Sequence, residues 1–255
     1  MSKERPRKRQ SKPFAFLMDR WALIGIAVVL VALIGVGGAY AVSSTRETPD
    51  YTSSYVPAEP EQYDYLRVAI MGDSFTRGVG ASDGVGYATT IGQQLCWNTQ
   101  IDGQSSTGYA NPGPAGSKPY TDRAASVAES QAPLIIVQGS TNDAGRPGIE
   151  QAATATFETL KRESPQSKIV AVGPTAPPSV DRVQVMADRD AVRSAAARAG
   201  VTFIDPIALG WLADPTLYGP DELHPTREGH NLMAESLRAE LEKVGLPRLN
   251  TCDPV

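Results

Sequence analysis

Four side chains of this sequence could together carry out nucleophilic attack on a carbonyl group. Ser74 follows the apolar run VAIM, and a serine hydroxyl becomes a nucleophile at neutral pH when a neighbouring base accepts its proton. Imidazole is the usual base, and His224 lies three positions after Asp221, whose carboxylate could hold the ring and stabilise the imidazolium. Asn142 follows another apolar run, and its amide could donate a hydrogen bond to a developing oxyanion. These residue types and spacings predict acyl-transfer chemistry.

Each of these residues also has a purely structural interpretation. Ser74 could be the N-cap of a helix, and Asn142 could form an Asx turn after a strand. His224 could be a surface histidine in a loop. The second histidine of the chain, His230, is assigned to the first turn of a helix, and Asp143 is expected to hold its loop rather than to react.

The elements that must position these residues form an alternating pattern, which is typical of parallel strands joined by helical crossovers. The predicted strands are Leu66–Met71, a weak one at Thr99–Ile101, Leu134–Gln138, Ile169–Val172 and Val201–Ile204. The predicted helices are Tyr87–Leu95, Asp122–Gln131, Ile149–Glu163, Asp181–Ala199 and His230–Val244. We therefore expect a three-layer α/β/α sandwich with a central, mostly parallel five-stranded sheet of the flavodoxin-like type. Sites in such sheets gather past the carboxyl ends of the strands, where Ser74 and Asn142 are expected to lie.

Three short motifs in this order resemble those of the SGNH or GDSL-type serine hydrolases. Residues 72–75, GDSF, resemble the family's first block, which carries the nucleophile. Residues 140–143, STND, resemble the G-x-N-D block, and residues 221–224 resemble the last block, D-x-x-H. The resemblance covers residues 66–244. It implies an esterase with a Ser-His-Asp triad, an oxyanion hole and no metal or organic cofactor.

Two positions depart from the family pattern. Ser140 stands where the family has glycine, and Gly139 comes one residue earlier, so a positive φ at Ser140 would be strained. The oxyanion hole implied by the resemblance uses the backbone N–H of Ser74, the Asn142 side chain and one N–H from the second block. The second block has no clear match in this sequence, and its donor is assigned to Gly108 or Ser106.

The substrate is expected to be an ester of a carbohydrate, a lipid or a small molecule. An acyltransferase that moves an acyl group on envelope glycans would use the same residues, and a non-catalytic glycan-binding domain is the alternative from another functional class. Residues 1–20 carry a net charge of +5 and the rest of the chain carries −9. Nucleic acid is not expected as a partner, because binding its phosphates needs a basic face and the body of this chain is negative. No obligate protein partner is indicated.

The N-terminal region predicts attachment to a membrane. Between Arg20 and Arg46 lie 25 uncharged residues, enough helix to cross a hydrocarbon core of roughly 30 Å. We expect a basic cytoplasmic head at 1–20, a single-pass signal-anchor at 21–42, a linker at 43–62 and an extracytoplasmic catalytic domain at 63–255. The alternative is a secreted protein, cleaved near Ala41.

The two cysteines, Cys96 and Cys252, allow one intramolecular disulfide. An exported domain occupies an oxidising compartment in which such a bond persists. We therefore predict that the two cysteines are bonded, and two buried thiols are the alternative.

Overall fold

The computed structural model describes residues 20–44, 64–246 and 248–253. The chain divides into two compact units, Met1–Glu59 and Pro60–Val255, which are described separately. The basic head, apart from Arg20, and the predicted linker from residue 45 onward lie outside the described residues.

The N-terminal unit contains one helix, α1, at Arg20–Ser44, among the residues described. The side chains described in α1 belong to residues 24–39, and all of them are exposed. In the part of the chain that the structure describes, no helix is long and apolar enough to cross a membrane. The transmembrane segment predicted at 21–42 therefore finds no support in the structure.

The unit at Pro60–Val255, the candidate catalytic unit, is built on a five-stranded sheet in the order β2-β1-β3-β4-β5. The strands are β1 Arg67–Gly72, β2 Asn98–Gly103, β3 Leu134–Gln138, β4 Lys168–Val172 and β5 Thr202–Ile204. All neighbouring strands described run parallel, so the sheet is parallel throughout rather than mostly parallel. All five predicted strands are confirmed within a few residues.

Helices cover both faces of the sheet. They are α2 Ser74–Arg77, α3 Tyr87–Gln94, α4 Tyr120–Ala128, α5 Ile149–Glu163, α6 Arg182–Ala199 and α7 Arg227–Lys243, with short 3₁₀ turns at Thr141–Asp143 and Pro215–Leu217. Successive strand residues point to opposite faces. Ala69 and Met71 of β1 share one core with α4, α5 and α6, while Val68 and Ile70 share the other with α3 and α7. The three-layer α/β/α prediction is confirmed.

Some local features differ from the expectation, among them helix α4, which runs from Tyr120 to Ala128 instead of from Asp122 to Gln131. The short helix α2 was not predicted, because four residues are too few to show helical periodicity. Helix α7 begins at Arg227 instead of His230, since the Thr226 hydroxyl accepts a hydrogen bond from the Gly229 N–H at 3.2 Å and caps the helix earlier.

The predicted disulfide between Cys96 and Cys252 is present and joins residues 156 positions apart. It fastens the C-terminal tail beside the end of α3. Neighbouring contacts support it, because the Trp97 indole donates to the Leu249 carbonyl at 2.7 Å and the Thr251 hydroxyl donates to the Cys96 carbonyl at 2.7 Å.

Candidate active site

Ser74 is the first residue of α2 and lies at the carboxyl end of β1. The N-cap of α2 is Asp73, whose carboxylate accepts the Phe75 N–H at 2.9 Å, so the interpretation of Ser74 as an N-cap is wrong. The Ser74 side chain is almost buried, and its Oγ lies 3.0 Å from Nε2 of His224. As the first N–H of a helix, the Ser74 backbone donor has no intrahelical acceptor.

Asp221 and His224 lie on one loop before α7. The ring Nδ1 is 2.6 Å from Oδ2 of Asp221, while the backbone N–H groups of Leu223 and His224 donate to Oδ1 at 3.1 and 3.0 Å. Partial burial works against the ionised carboxyl. The hydrogen bonds from His224 and Leu223 outweigh it and lower the pKa of Asp221 to about 2. An ionised Asp221 favours the proton on Nδ1, which leaves the Nε2 lone pair facing Ser74.

The His224 ring is held in place by α2 and by the segment that follows it. The Phe75 ring packs against it with a centroid distance of 6.0 Å. Gly80 has a φ of +95°, and a Cβ there would lie 2.4 Å from the Pro225 carbonyl oxygen and 2.9 Å from Cβ of His224. Only glycine allows this close approach of the backbone to the histidine.

His230 has a structural position in α7, in line with its assignment from the sequence. It is fully buried, and burial lowers its pKa. Its Nδ1 accepts the Tyr87 N–H at 3.2 Å, and its Nε2 donates to the Val79 carbonyl at 3.0 Å. The ring therefore ties the loop between α2 and α3 to α7, behind the loop that contacts His224.

Asn142 lies in the 3₁₀ turn that follows β3, on the same edge of the sheet as Ser74. Its side-chain Nδ2 donates to the Thr107 carbonyl at 3.0 Å and lies 3.4 Å from Oδ2 of Asp73. These partners are 35 and 69 residues away, so the side chain does not form the local Asx turn that was the alternative. The amide is held next to the nucleophile loop by Asp73.

Asp73 is a site residue that the sequence analysis did not single out. It is completely buried, and its Oδ2 accepts a hydrogen bond from the Ser140 hydroxyl at 2.8 Å. Burial raises the pKa of Asp73 to about 6, although the Phe75 N–H and the Ser140 hydroxyl oppose this shift. The available signal was an acidic residue directly before a serine at a strand end.

Ser140 does not adopt the positive φ that would strain a serine. The positive φ, +112°, belongs to Gly139, while Ser140 is extended with a φ of −131°. The Ser140 side chain instead gains a role, because its Oγ contacts Asp73 and accepts the Asn142 N–H at 3.1 Å.

The two candidates for the second-block donor are placed differently. The Gly108 N–H donates to the Asn111 carbonyl at 2.9 Å, so it is not free to bind an oxyanion. A Cβ at Gly108 would lie 2.4 Å from the Asp143 carboxylate, so close packing against Asp143 requires a glycine at this position. Ser106 has a φ of +62°, and among the described residues its N–H has no acceptor. The geometry therefore favours Ser106 over Gly108.

Asp143 holds its loop, as the sequence suggested. Its carboxylate accepts the backbone N–H groups of residues 109–111 at 2.7 to 3.0 Å. Burial raises the pKa of Asp143, and these three hydrogen bonds oppose the shift. The side chain fixes the segment that follows Ser106.

Arg123 is a second residue that the sequence analysis missed. It is buried in α4, and its guanidinium donates to the Asp102 carbonyl at 3.0 Å and to the Gly72 carbonyl at 2.9 Å. It thereby joins the carboxyl ends of β2 and β1 next to the nucleophile. An arginine inside a helical pattern gives no sequence signal for such a role.

The arrangement can transfer a proton from Ser74 to His224 and place N–H donors near a carbonyl oxygen. Among the residues that the structure describes, no group of three or more His, Cys, Asp or Glu side chains could hold a metal ion.

Comparison with known proteins identifies the family. Residues 70–232 match the GDSL-like Lipase/Acylhydrolase family. The chain is 27% identical over 202 residues to a GDSL lipase of Mycobacterium tuberculosis, covering 74% of this chain and 87% of that protein. A protein of Lactobacillus plantarum has a similar fold, with a TM-score of 0.62 at 20% identity, covering 72% of this chain and 99% of that one. A family two carbohydrate esterase of Clostridium thermocellum, in complex with cellohexaose, gives 0.58 at 19% identity, covering 73% and 66%. The chain therefore belongs to the GDSL-like lipase/acylhydrolase family of serine hydrolases that act on ester bonds.

Proposed function

We propose that the catalytic unit hydrolyses carboxylic esters with Ser74 as nucleophile, His224 as general base and Asp221 as the residue that orients the imidazole. The observation that carries this proposal is the continuous chain of contacts, 3.0 Å from Ser74 Oγ to Nε2 and 2.6 Å from Nδ1 to Asp221. Both distances lie within the range for nucleophile activation.

The chemistry follows from these contacts. Ser74 Oγ attacks the ester carbonyl carbon while Nε2 of His224 takes the hydroxyl proton. The imidazolium is stabilised by ionised Asp221 and then gives its proton to the leaving alcohol. A water molecule, deprotonated by the same nitrogen, attacks the acyl-enzyme and releases the acid.

The oxyanion of each tetrahedral intermediate is stabilised by three donors in this proposal. They are the Ser74 N–H, the Asn142 side chain and the Ser106 N–H. Asn142 Nδ2 carries two N–H groups: one donates to the Thr107 carbonyl at 3.0 Å, and the other faces Asp73 at 3.4 Å, which is long for a hydrogen bond. The second N–H is therefore the one that would donate to the oxyanion.

The test is a comparison of Ser74→Ala, His224→Ala and the double variant on p-nitrophenyl esters of increasing acyl length. Each single variant should lose nearly all turnover, and the double variant should be little worse, because groups that act as one unit do not lose function additively. Ser236→Ala, a serine change in α7, is the matched control and should keep wild-type rates. Turnover that persists in folded Ser74→Ala would refute the proposed mechanism.

The substrate class follows in part from the relatives. The similar proteins include a lipase and a carbohydrate esterase, so we propose that the ester carries a lipid or a carbohydrate. Product analysis separates hydrolysis from acyl transfer: free acid alone indicates a hydrolase, and an acylated sugar indicates the acyltransferase alternative. Binding of glycans without any turnover in wild type would favour the non-catalytic alternative.

We also propose that the N-terminal segment anchors the enzyme in a membrane, with the catalytic unit outside. Support comes from the 25 uncharged residues between Arg20 and Arg46 and from the basic residues before them. Protease treatment of intact cells, followed by fractionation, should release the catalytic unit from a membrane-bound chain. A mature N-terminus near Val42 would contradict the anchor and indicate secretion.

A further inference from the structure

A cavity of about 420 Å³ lies between the N-terminal parts of α5 and α6 and the loop that follows Asn142. Its volume falls in the roughly 300–1,000 Å³ range of small-molecule sites. The loop contributes Gly145 and Arg146, and the helices contribute Ile149, Gln184 and Asp188.

Asp188 is the unusual side chain of this cavity. The residue is only 2% exposed, and its Oδ2 is buried without a hydrogen-bond partner among the described residues. Leaving a buried polar atom unpaired is costly, and such atoms in folded proteins usually have a partner. Burial, with Asp143 nearby, raises the pKa of Asp188 to about 7. Near neutral pH this carboxyl can therefore both donate and accept a hydrogen bond.

The charges around the cavity argue for a neutral ligand. Arg146 disfavours a cation, and Asp188, when ionised, disfavours an anion, while the charge of Glu150 is balanced by its ion pair with Arg198. Val183, on one wall, is 79% exposed and offers apolar surface. A sugar ring suits such a lining, since it presents hydroxyl groups at its edge and C–H groups on its faces.

The cavity is close to the proposed oxyanion hole. Helix α6 packs against the 3₁₀ turn that contains Asn142. Arg146 follows Asn142 by four residues, so their Cα atoms are at most about 14 Å apart. The alcohol part of an ester whose carbonyl lies in the oxyanion hole could therefore extend into the cavity.

We propose that this cavity binds a sugar ring in the alcohol part of the ester, with the Asp188 carboxyl as its hydrogen-bonding partner. The proposal rests on the proposed esterase function and extends it to glycan esters.

Two acetate esters test the cavity with the full-length chain: methyl 6-O-acetyl-β-D-glucopyranoside and p-nitrophenyl acetate. Asp188→Leu should raise KM for the sugar ester, so that kcat/KM for this ester falls about tenfold relative to that for p-nitrophenyl acetate. Ala187→Phe fills the exposed entrance of the cavity without changing the carboxyl and should lower the same ratio of kcat/KM values.

Glu235→Gln, which changes an exposed carboxylate of α7, is the matched control and should leave this ratio unchanged. A parallel loss on both esters would assign Asp188 a structural role and overturn the proposal, as would an unchanged ratio.

A binding measurement separates this proposal from the proposed function. Saturation-transfer NMR should detect methyl β-D-glucopyranoside on Ser74→Ala and lose the signal in Ser74→Ala with Asp188→Leu. Equal signals in the two proteins, or none in either, would overturn the cavity proposal. If wild type hydrolyses neither ester while binding still depends on Asp188, the cavity proposal stands and the esterase function falls.

Discussion

Asp73 is the buried acid beside Ser74, and we compare the unfolding free energy of Asp73→Asn with that of wild type at two pH values. The difference, variant minus wild type, should be larger at neutral pH than at acidic pH. The pKa of Asp73 rises from 3.8 to about 6 on folding, because burial disfavours its charge. The folded protein therefore holds this proton more tightly than the unfolded chain does. Wild-type stability is higher while Asp73 is protonated and falls as pH rises from about 4 to about 6.

The size of the effect follows from the same two values. At about 1.4 kcal/mol for each pH unit, the shift from 3.8 to about 6 corresponds to about 3 kcal/mol. Asparagine cannot ionise, so the variant lacks this loss. The difference in unfolding free energy, variant minus wild type, should rise by up to about 3 kcal/mol between pH 4 and pH 7.5. Hydrogen bonds that asparagine fails to make lower this difference by the same amount at both pH values. They therefore do not affect its change between pH 4 and pH 7.5.

Urea unfolding followed by tryptophan fluorescence measures this difference. Glu235→Gln is the control, because an exposed side chain should change stability little at either pH. A difference for Asp73→Asn that is the same at pH 4 and pH 7.5 would refute the argument that a buried charge at this position is costly. The same variant should lower kcat, since Ser140 and Asn142 lose their carboxylate acceptor. The loss should be smaller than that caused by removing Asn142 itself, and a stability gain with an activity loss is typical of active-site residues.

Three further changes test other parts of the site. Asn142→Ala should lower kcat by roughly 10²- to 10³-fold with little change in KM, as for loss of one oxyanion donor, and steady-state kinetics would show a KM effect instead if the side chain only bound substrate. Asp221→Asn should lower kcat by up to about 10⁴-fold, because an amide supports neither the correct tautomer nor the imidazolium; wild-type rates in this variant would exclude Asp221 from the triad. Cys96→Ser with Cys252→Ser should lower the free energy of unfolding by about 2–4 kcal/mol, and an unchanged denaturation midpoint would show that the bond contributes nothing.

Much of the fold could be predicted from the sequence because each buried strand is a short apolar run. The weakest strand prediction, at residues 99–101, concerns the edge strand β2, which is largely exposed and so lacks a strong apolar pattern. The sequence predicted that Ser74 and Asn142 lie on one sheet edge, and the structure brings them together with the Asp221–His224 loop.

The contacts that position these groups could not be predicted in the same way. Arg123 binds the Gly72 carbonyl 51 residues away, and Asn142 binds the Thr107 carbonyl across 35 residues. Such pairs depend on how the helices and loops pack, and no local pattern reports this. The same holds for Gly108, whose N–H was a reasonable donor from sequence but is used within its own loop.

The disulfide protects the proposed catalytic residues unequally against separation by backbone cleavage. A single cut between Cys96 and His224 leaves two fragments joined through the disulfide, with Ser74 on one and His224 on the other. Ser74 itself precedes the ring, so a cut at residues 75–95 would separate it from its base with no covalent tether. Residues 75–95 lie outside the ring, so after a cut there only non-covalent contacts hold this stretch against the rest of the unit. One of these contacts is the ion pair of Asp83 with Arg227 at 2.6 Å. An oxidised enzyme nicked inside the ring should remain one particle, and its weak point under proteolysis is the loop that precedes α3.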